Sequence, residues 1–250
     1  MAQQEYRQLP FALPPDATEV VLARHGASAP IRPGELHPML HGRGDPPLAP
    51  EGHEQARLLA ERLRRERVDA VFVSGLTRTV ETAEALGRPF TEVPELREVF
   101  LGEWEGGPFR IHVANREPLA MRVITEQRWD IIPGAEPMEA FEARVKAGLE
   151  KVVEATGPGN VGLVFAHGGV IGEACRQAAD SRRFAFVMND NCSLTRLVRF
   201  ASGHWLLRSF NDTAHLDASS PAEGGSAMVR AAASGSDDRH AAPPPAPPRR

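Results

Sequence analysis

The stretch VVLARHGASAP, residues 20–30, decides how this chain is read. An apolar run from Val20 to Ala23 ends at once on Arg24, His25 and Gly26, and the chain then turns small and polar. An uninterrupted apolar run of this kind reads as a strand buried on both faces, as in parallel sheets covered by helices. A buried strand that stops on a guanidinium and an imidazole delivers both to its carboxyl end. Open α/β sheets bind their ligands in the crevice beyond those ends. Other segments that bring reactive residues to the same edge would complete a site there.

Two more segments have the same form: VDAVFVS, residues 68–74, and NVGLVFAH, residues 160–167. Helical patterns alternate with them. In PEGHEQARLLAERLRRER, residues 50–67, Ala56, Leu59, Ala60 and Leu63 recur at helical spacing with charges opposite. TRTVETAEALG, residues 77–87, is a helix closed by Gly87. AEPMEAFEARVKAGLEKVVEAT, residues 135–156, and GVIGEACRQAA, residues 169–179, are two more. SLTRLVRF and HWLLRSFN predict a final hairpin across ASG, residues 201–203. The alternation predicts an α/β protein with a mostly parallel central sheet and helices on both faces.

The bulk numbers bound the rest. The chain has 250 residues, 42% hydrophobic and 25% charged, which fits a globular protein with one large domain or two small ones. Its formal net charge of −4 argues against a general nucleic-acid binder, so any phosphate contact is expected to be local. Cys175 and Cys192 form no C-x-x-C pair and are expected to be reduced structural thiols. No apolar run is long enough to span a bilayer. The first residues, MAQQEYRQLPFALPPDATE, have no apolar signal-peptide core, and a cytoplasmic location is expected. Residues 1–17 read as a loose lead-in, residues 18–218 as the folded domain, and the Ala/Pro/Gly/Ser-rich residues 219–250 as a disordered tail.

Three predicted strand ends carry chemistry: Arg24-His25-Gly26, then Ser74 with Arg78 close behind, then His167-Gly168-Gly169. Taken singly, each is more often structural than functional. Together at adjacent strand ends, two arginines and two histidines describe a dianion pocket. A guanidinium fork matches two phosphate oxygens. A neutral imidazole can attack phosphorus if one nitrogen is unprotonated and the other N–H is held by an acceptor. Gly26, directly after His25, lets the backbone approach closely enough to supply that acceptor. A carboxylic acid is still needed to protonate the leaving oxygen.

At these residues the chain resembles the histidine phosphatase superfamily, the phosphoglycerate mutase-like proteins, on their phosphatase branch. LARHGAS (22–28) is similar to its Arg-His-Gly signature, and GRGDPPLAPEGHEQA (42–56) to the next segment of that pattern. VSGLTRTVETAEAL (73–86) resembles its Ser-x-x-x-Arg helix start, and LREVFLGEWEG (96–106) its acid-bearing segment. PGAEPMEAFEARV (133–145), LVFAHGGVI (163–171), and CSLTRLVRF with NDTAHL (192–200 and 211–216) come next in order. Seven ordered segments carry far more weight than one triplet. The resemblance implies a three-layer α/β/α sandwich and a phosphomonoester hydrolase that needs neither metal nor cofactor. It implies His25 as the nucleophile that becomes phosphohistidine and Glu98 as general acid and base. It implies Arg24 and Arg78 as phosphoryl ligands, and His167 as completing the pocket and stabilising the transition state. The backbone N–H of Gly168 would add to the phosphate pocket. Glu103 and Glu105 are weaker candidates for the acid.

The sequence also departs from the family pattern. Ala27-Ser28 stands where Glu-Thr is usual; Ser28 keeps a hydroxyl for the substrate site and Ala27 has no carboxylate. The phosphate-holding Asn a few residues on has no match; His37, His41 or Arg43 are candidates for the pocket mouth, with a solvated loop as the alternative. Residues 106–133 are expected to form a cap-like insert. Its arginines, Arg110, Arg116, Arg122 and Arg128, are scattered rather than paired, which favours a phosphatase over a phosphoglycerate mutase. Phe109, Ile111, Met121 and Trp129 there point to a partly apolar leaving group. A non-catalytic phosphate-binding module is the remaining alternative. Edge-strand dimers occur in this fold, so a homodimer stays open, with a small-molecule phosphomonoester as the expected partner and no nucleic acid or membrane.

Overall fold

The computed structural model describes residues 6–216. The expected tail, residues 219–250, lies outside the described residues, as do the first five residues of the lead-in and residues 217–218.

The opening stretch is the strand β1 (Thr18–Arg24), buried almost throughout. Two short strands, β2 (Met39–Leu40) and β3 (Arg43–Gly44), pair antiparallel after it. The helix α1 (Pro50–Leu63) starts on a proline at its first turn and buries Ala56, Leu59, Ala60 and Leu63, the residues its periodicity selects. Then come β4 (Ala70–Val73), α2 (Thr77–Glu84) and the two-residue β5 (Thr91–Glu92). Two single 3-10 turns, Pro94–Leu96 and Gly102–Trp104, lead into α3 (Pro108–Ala114) and α4 (Pro118–Glu126). The chain closes with α5 (Met138–Thr156), β6 (Val161–Ala166), α6 (Gly168–Ala179), β7 (Leu194–Arg199) and β8 (Trp205–Asp212).

The sheet order is β5-β4-β6-β1-β7-β8, with β5, β4, β6 and β1 parallel. β7 runs antiparallel to both its neighbours. Side chains alternate along β1, and the two faces enter different cores. Val20 and Leu22 pack with Val145 and Leu149 of α5 and Ile171 of α6. Val21 and Ala23 pack with Leu59 and Leu63 of α1 and Ala83 of α2. The fold is thus a three-layer α/β/α sandwich on a mostly parallel sheet, as expected.

The structure adds what periodicity cannot register. β5 is two residues long, and the β2–β3 pair sits in a segment whose sequence also fits a solvated loop. The final hairpin turns over residues 200–204, wider than ASG, and is closed by the Phe200 N–H donating to the His204 carbonyl at 2.9 Å. Among the described residues, no helix is long and apolar enough to cross a membrane.

Candidate active site

Strand register assembles the site. Arg24 on β1 lies opposite Ala166 on β6, and Val73 on β4 lies opposite Phe165. The next residues, His25, Ser74 and His167, therefore meet at one edge. The His25 and His167 rings stand 5.2 Å apart between centroids.

His25 is 5% exposed. Its Nδ1 stands 2.7 Å from the Gly26 carbonyl oxygen. A carbonyl only accepts, so Nδ1 carries the proton and Nε2 is left with a free lone pair. Burial, then the charges of Arg78 and Arg24, hold the His25 imidazolium well below its ordinary pKa. The ring is neutral at neutral pH, the state a nucleophile requires. Gly26 makes the geometry possible: a Cβ there would lie 2.5 Å from the Gly52 carbonyl oxygen at the start of α1. The Gly26 N–H donates to Thr82 Oγ1 at 3.0 Å and the Ala27 N–H to Gln55 Oε1 at 2.8 Å. Motif residues on α1 and α2 thus act as backbone anchors for the loop that carries the histidine.

His167 is fully buried, and its Nε2 lies 2.7 Å from Ser74 Oγ. Thr79 Oγ1 donates to the Leu76 carbonyl at 2.7 Å, so it can only accept from Ser74 Oγ, 3.0 Å away. Ser74 then accepts from His167 Nε2–H. This leaves Nδ1, which has no partner, as the unprotonated nitrogen of the neutral ring. Burial, with Arg78 next, also holds His167 well below its ordinary pKa.

The arginines are fixed from behind. Arg78, on the first turn of α2, donates Nη1 to the Gly44 carbonyl at 3.1 Å and lies 3.7 Å from Asp45 Oδ1. Asp45 also accepts from Thr77 N (2.8 Å) and Thr77 Oγ1 (2.5 Å), so one carboxylate starts the helix and orients the arginine. Burial lowers Arg78 to about 10, still cationic at neutral pH. Arg24 Nη1 donates to the Asn189 carbonyl, while its buried Nε has no partner. Asn191 Nδ2 donates to the His25 carbonyl at 2.9 Å.

Glu98 reaches the same cavity, of about 470 Å³. Its carboxylate accepts from Val99 N at 3.0 Å and Gly169 N at 3.2 Å. A Cβ on Gly169 would sit 2.6 Å from Glu98 Oε1, so the second glycine after His167 is what leaves room for Glu98. Arg24, His25, Ser28, Arg78 and Glu98 all face this cavity. Gly168 packs against the Arg24 guanidinium, and its carbonyl accepts from Asn189 Nδ2 at 3.0 Å. Of these two glycines, Gly169 lines the cavity and Gly168 does not.

The mouth holds some of the residues expected there, His37, Phe109 and Trp129, and one to which the sequence assigns no role, Arg110. Arg110 on α3 donates to Ser28 Oγ at 2.7 Å and the Ala29 carbonyl at 3.0 Å, and forms no ion pair among the described residues. His37 lines the cavity, and its Nε2 is buried without a partner. His41 and Arg43 do not line it; Arg43 turns back to the Glu98 carbonyl at 2.9 Å. Leu101, Trp104, Phe109 and Trp129 form an apolar wall, with Phe109 and Trp129 edge to face at 5.8 Å. Of the apolar residues expected there, Ile111 and Met121 do not reach the cavity. Glu105 does reach it; Gly44 N and Leu101 N hold its two oxygens, as Val99 N and Gly169 N hold those of Glu98, and burial raises its pKa. Glu103 is exposed and off the cavity.

Comparison with known proteins shows the family and the fold. The profile of the histidine phosphatase superfamily (branch 1) matches residues 20–213, and the chain belongs to that superfamily of phosphatases and mutases. A Yersinia enterocolitica protein named "Probable phosphoglycerate mutase GpmB" is 30% identical over 213 residues, covering 80% of this chain and 95% of its own. Among solved structures, Bacillus stearothermophilus YhfR superposes with a TM-score of 0.66 at 23% identity, covering 80% of this chain and 100% of its own. A mycobacterial glucosyl-3-phosphoglycerate phosphatase gives 0.62 at 24%, covering 79% and 100%. These structural likenesses establish the fold.

Proposed function

We propose that the chain is a phosphomonoester hydrolase working through a phosphohistidine on His25. The observation that carries this reading is the His25 tautomer: Nδ1–H is held by Gly26, leaving Nε2 free in a ring kept neutral between two arginines. His25 Nε2 attacks phosphorus as the bond to the leaving oxygen breaks. The Glu98 carboxylic acid gives its proton to that oxygen, releasing the alcohol. Water then attacks the phosphohistidine; Glu98 takes its proton, phosphate departs, and Nε2 is free again. Arg24 and Arg78 spread the charge of the transferring group. His167 is fully buried and does not line the cavity; its partnerless Nδ1 donates to a phosphoryl oxygen only after taking up a proton, which the charge of a bound dianion favours.

The mouth suits an ester with two features. Trp104, Phe109 and Trp129 favour an apolar portion in the leaving group, and Arg110 with His37 favours an anionic substituent beside it. Cys175 and Cys192 are buried free thiols, in keeping with a reducing cytoplasm.

The test is phosphate release from p-nitrophenyl phosphate, without added metal, by wild type and His25→Ala. Turnover by wild type alone supports the reading. Equal turnover by both would remove His25 as nucleophile. The mutase reading has one observation behind it, the name that the 30%-identical relatives carry. It predicts interconversion of phosphoglycerates primed by a bisphosphoglycerate, which a hydrolase does not show.

A further inference from the structure

Arg144 lies on α5, outside the cavity, and belongs to none of the phosphate-binding groups described above. Its guanidinium is nonetheless fully engaged. Nε and Nη2 form a fork on Glu136 at 2.6 and 2.8 Å. Nη1 donates to the carbonyls of Glu95 (2.7 Å) and Arg97 (2.6 Å), and Nη2 to the carbonyl of Glu98 (3.0 Å). An arginine has five N–H donors, and here all five find acceptors.

Three of those acceptors are main-chain carbonyls leading to Glu98: Glu95 in the 3-10 turn, then Arg97 and Glu98 in the irregular segment after it. Regular hydrogen bonding cannot fix that segment, because it leaves a 3-10 turn at Leu96 and enters no strand. Its other attachments converge on the same helix and the same pair. Leu96 packs over Gly148, Lys151 pairs with Glu95, and Arg43 Nε adds a second donor to the Glu98 carbonyl while its Nη2 lies 3.7 Å from Glu136. Although burial opposes ionisation, the Arg144 fork holds the Glu136 carboxyl below its ordinary range, so the pair persists as an ion pair. The Phe100 N–H also donates to Glu136 at 3.3 Å, which ties the far side of Glu98 to the same carboxylate.

We infer that Arg144, braced by Glu136, is a positioning residue for the Glu98 proton donor: it fixes the backbone from which the acid reaches the leaving oxygen. This rests on the hydrolase reading and on Glu98 as the acid. Proton donation tolerates little displacement, and about 1 Å of error costs on the order of a hundredfold. A lysine at this position would supply one point of charge and could not span three carbonyls and a carboxylate.

The test compares kcat/KM on two aryl phosphates that differ in their need for a proton. Phenyl phosphate has a basic leaving group that requires an acid; 2,4-dinitrophenyl phosphate departs without one. Arg144→Lys is expected to lose about tenfold to a hundredfold on phenyl phosphate and less than about threefold on the dinitrophenyl ester. Added to Glu98→Gln, it should cost nothing further on phenyl phosphate. Circular dichroism and thermal melting of Arg144→Lys verify folding, and Glu136→Gln, which keeps the shape of the brace, should show the same leaving-group bias to a smaller degree. Equal losses on the two esters, or a full additional loss in the Glu98→Gln background, would overturn the inference and leave the hydrolase reading intact. If wild type turns over neither ester, the hydrolase reading itself fails and this inference falls with it.

Discussion

The floor and the mouth of the cavity are built by different means. The floor carries Arg24, His25 and Arg78 on the end of β1 and the first turn of α2, each tied to backbone carbonyls or to Asp45. The mouth is carried by the 3-10 turn at Gly102–Trp104, by α3, and by the loop around His37, and its side chains meet mainly ring to ring. The floor is specified by the sheet edge: strand register brings His25 and His167 together, and α2, starting just after β4, adds Arg78. The mouth depends on how short helices dock. The floor should therefore govern every phosphomonoester alike, and the mouth should distinguish one from another.

The largest expected effect tests the first half of that contrast. Arg78→Gln removes a fixed cation from the proposed phosphoryl site and should lower kcat/KM by about 10²- to 10³-fold on every ester tested. A loss that varies from ester to ester would place Arg78 in the mouth instead. Asp45→Asn should cost about tenfold, again uniformly, because it loosens Arg78 and the start of α2 without touching the substrate. Steady-state kinetics over a panel of esters checks both.

Arg110→Gln tests the other half. Its effect should be smaller, about threefold to tenfold, since the guanidinium sits at an open rim where solvent screens it. It should fall on 4-carboxyphenyl phosphate and spare phenyl phosphate. Equal losses on both would mean that Arg110 serves the floor through its contact with Ser28.

The same division explains how much the sequence discloses. The floor is legible because buried strands announce themselves as apolar runs, and the residues just after such a run must lie at the sheet edge. The helix patterns of α1, α2, α5 and α6 are legible for the same reason, each being long enough to show a period. The mouth is not. Arg110 looks like one of four scattered arginines, and only the docking of α3 sets it against Ser28. His37 owes its place to a two-residue strand pair too short to have any period. The supports are invisible in another way. Asp45, Gln55 and Thr82 belong to recognisable motifs, but their task is to hold single main-chain or guanidinium groups, and no residue type announces that task. Gly169 reads as part of a His-Gly-Gly run, while its use is to make room for Glu98, 71 residues away in sequence.

The smallest effect is on stability, and it sets the floor apart once more. His25 and His167 are held well below their ordinary pKa, chiefly by burial and then by Arg78, whereas in the unfolded chain each titrates near 6.5. Above pH 6.5 neither state binds these protons, and they contribute no slope. As pH falls below 6.5, the unfolded chain takes up both and the folded one does not, so stability declines with falling pH. Each ring contributes up to about 1.4 kcal/mol per pH unit. His37 and His215, lowered less, add in the same direction. Urea melts between pH 6.5 and 5.5 in a phosphate-free buffer should show this loss, and His25→Asn should remove about one proton of the slope. An unchanged slope in that variant would mean that His25 takes up its proton in the folded protein as readily as in the unfolded one. The neutral ring on which the nucleophile assignment depends would then be lost.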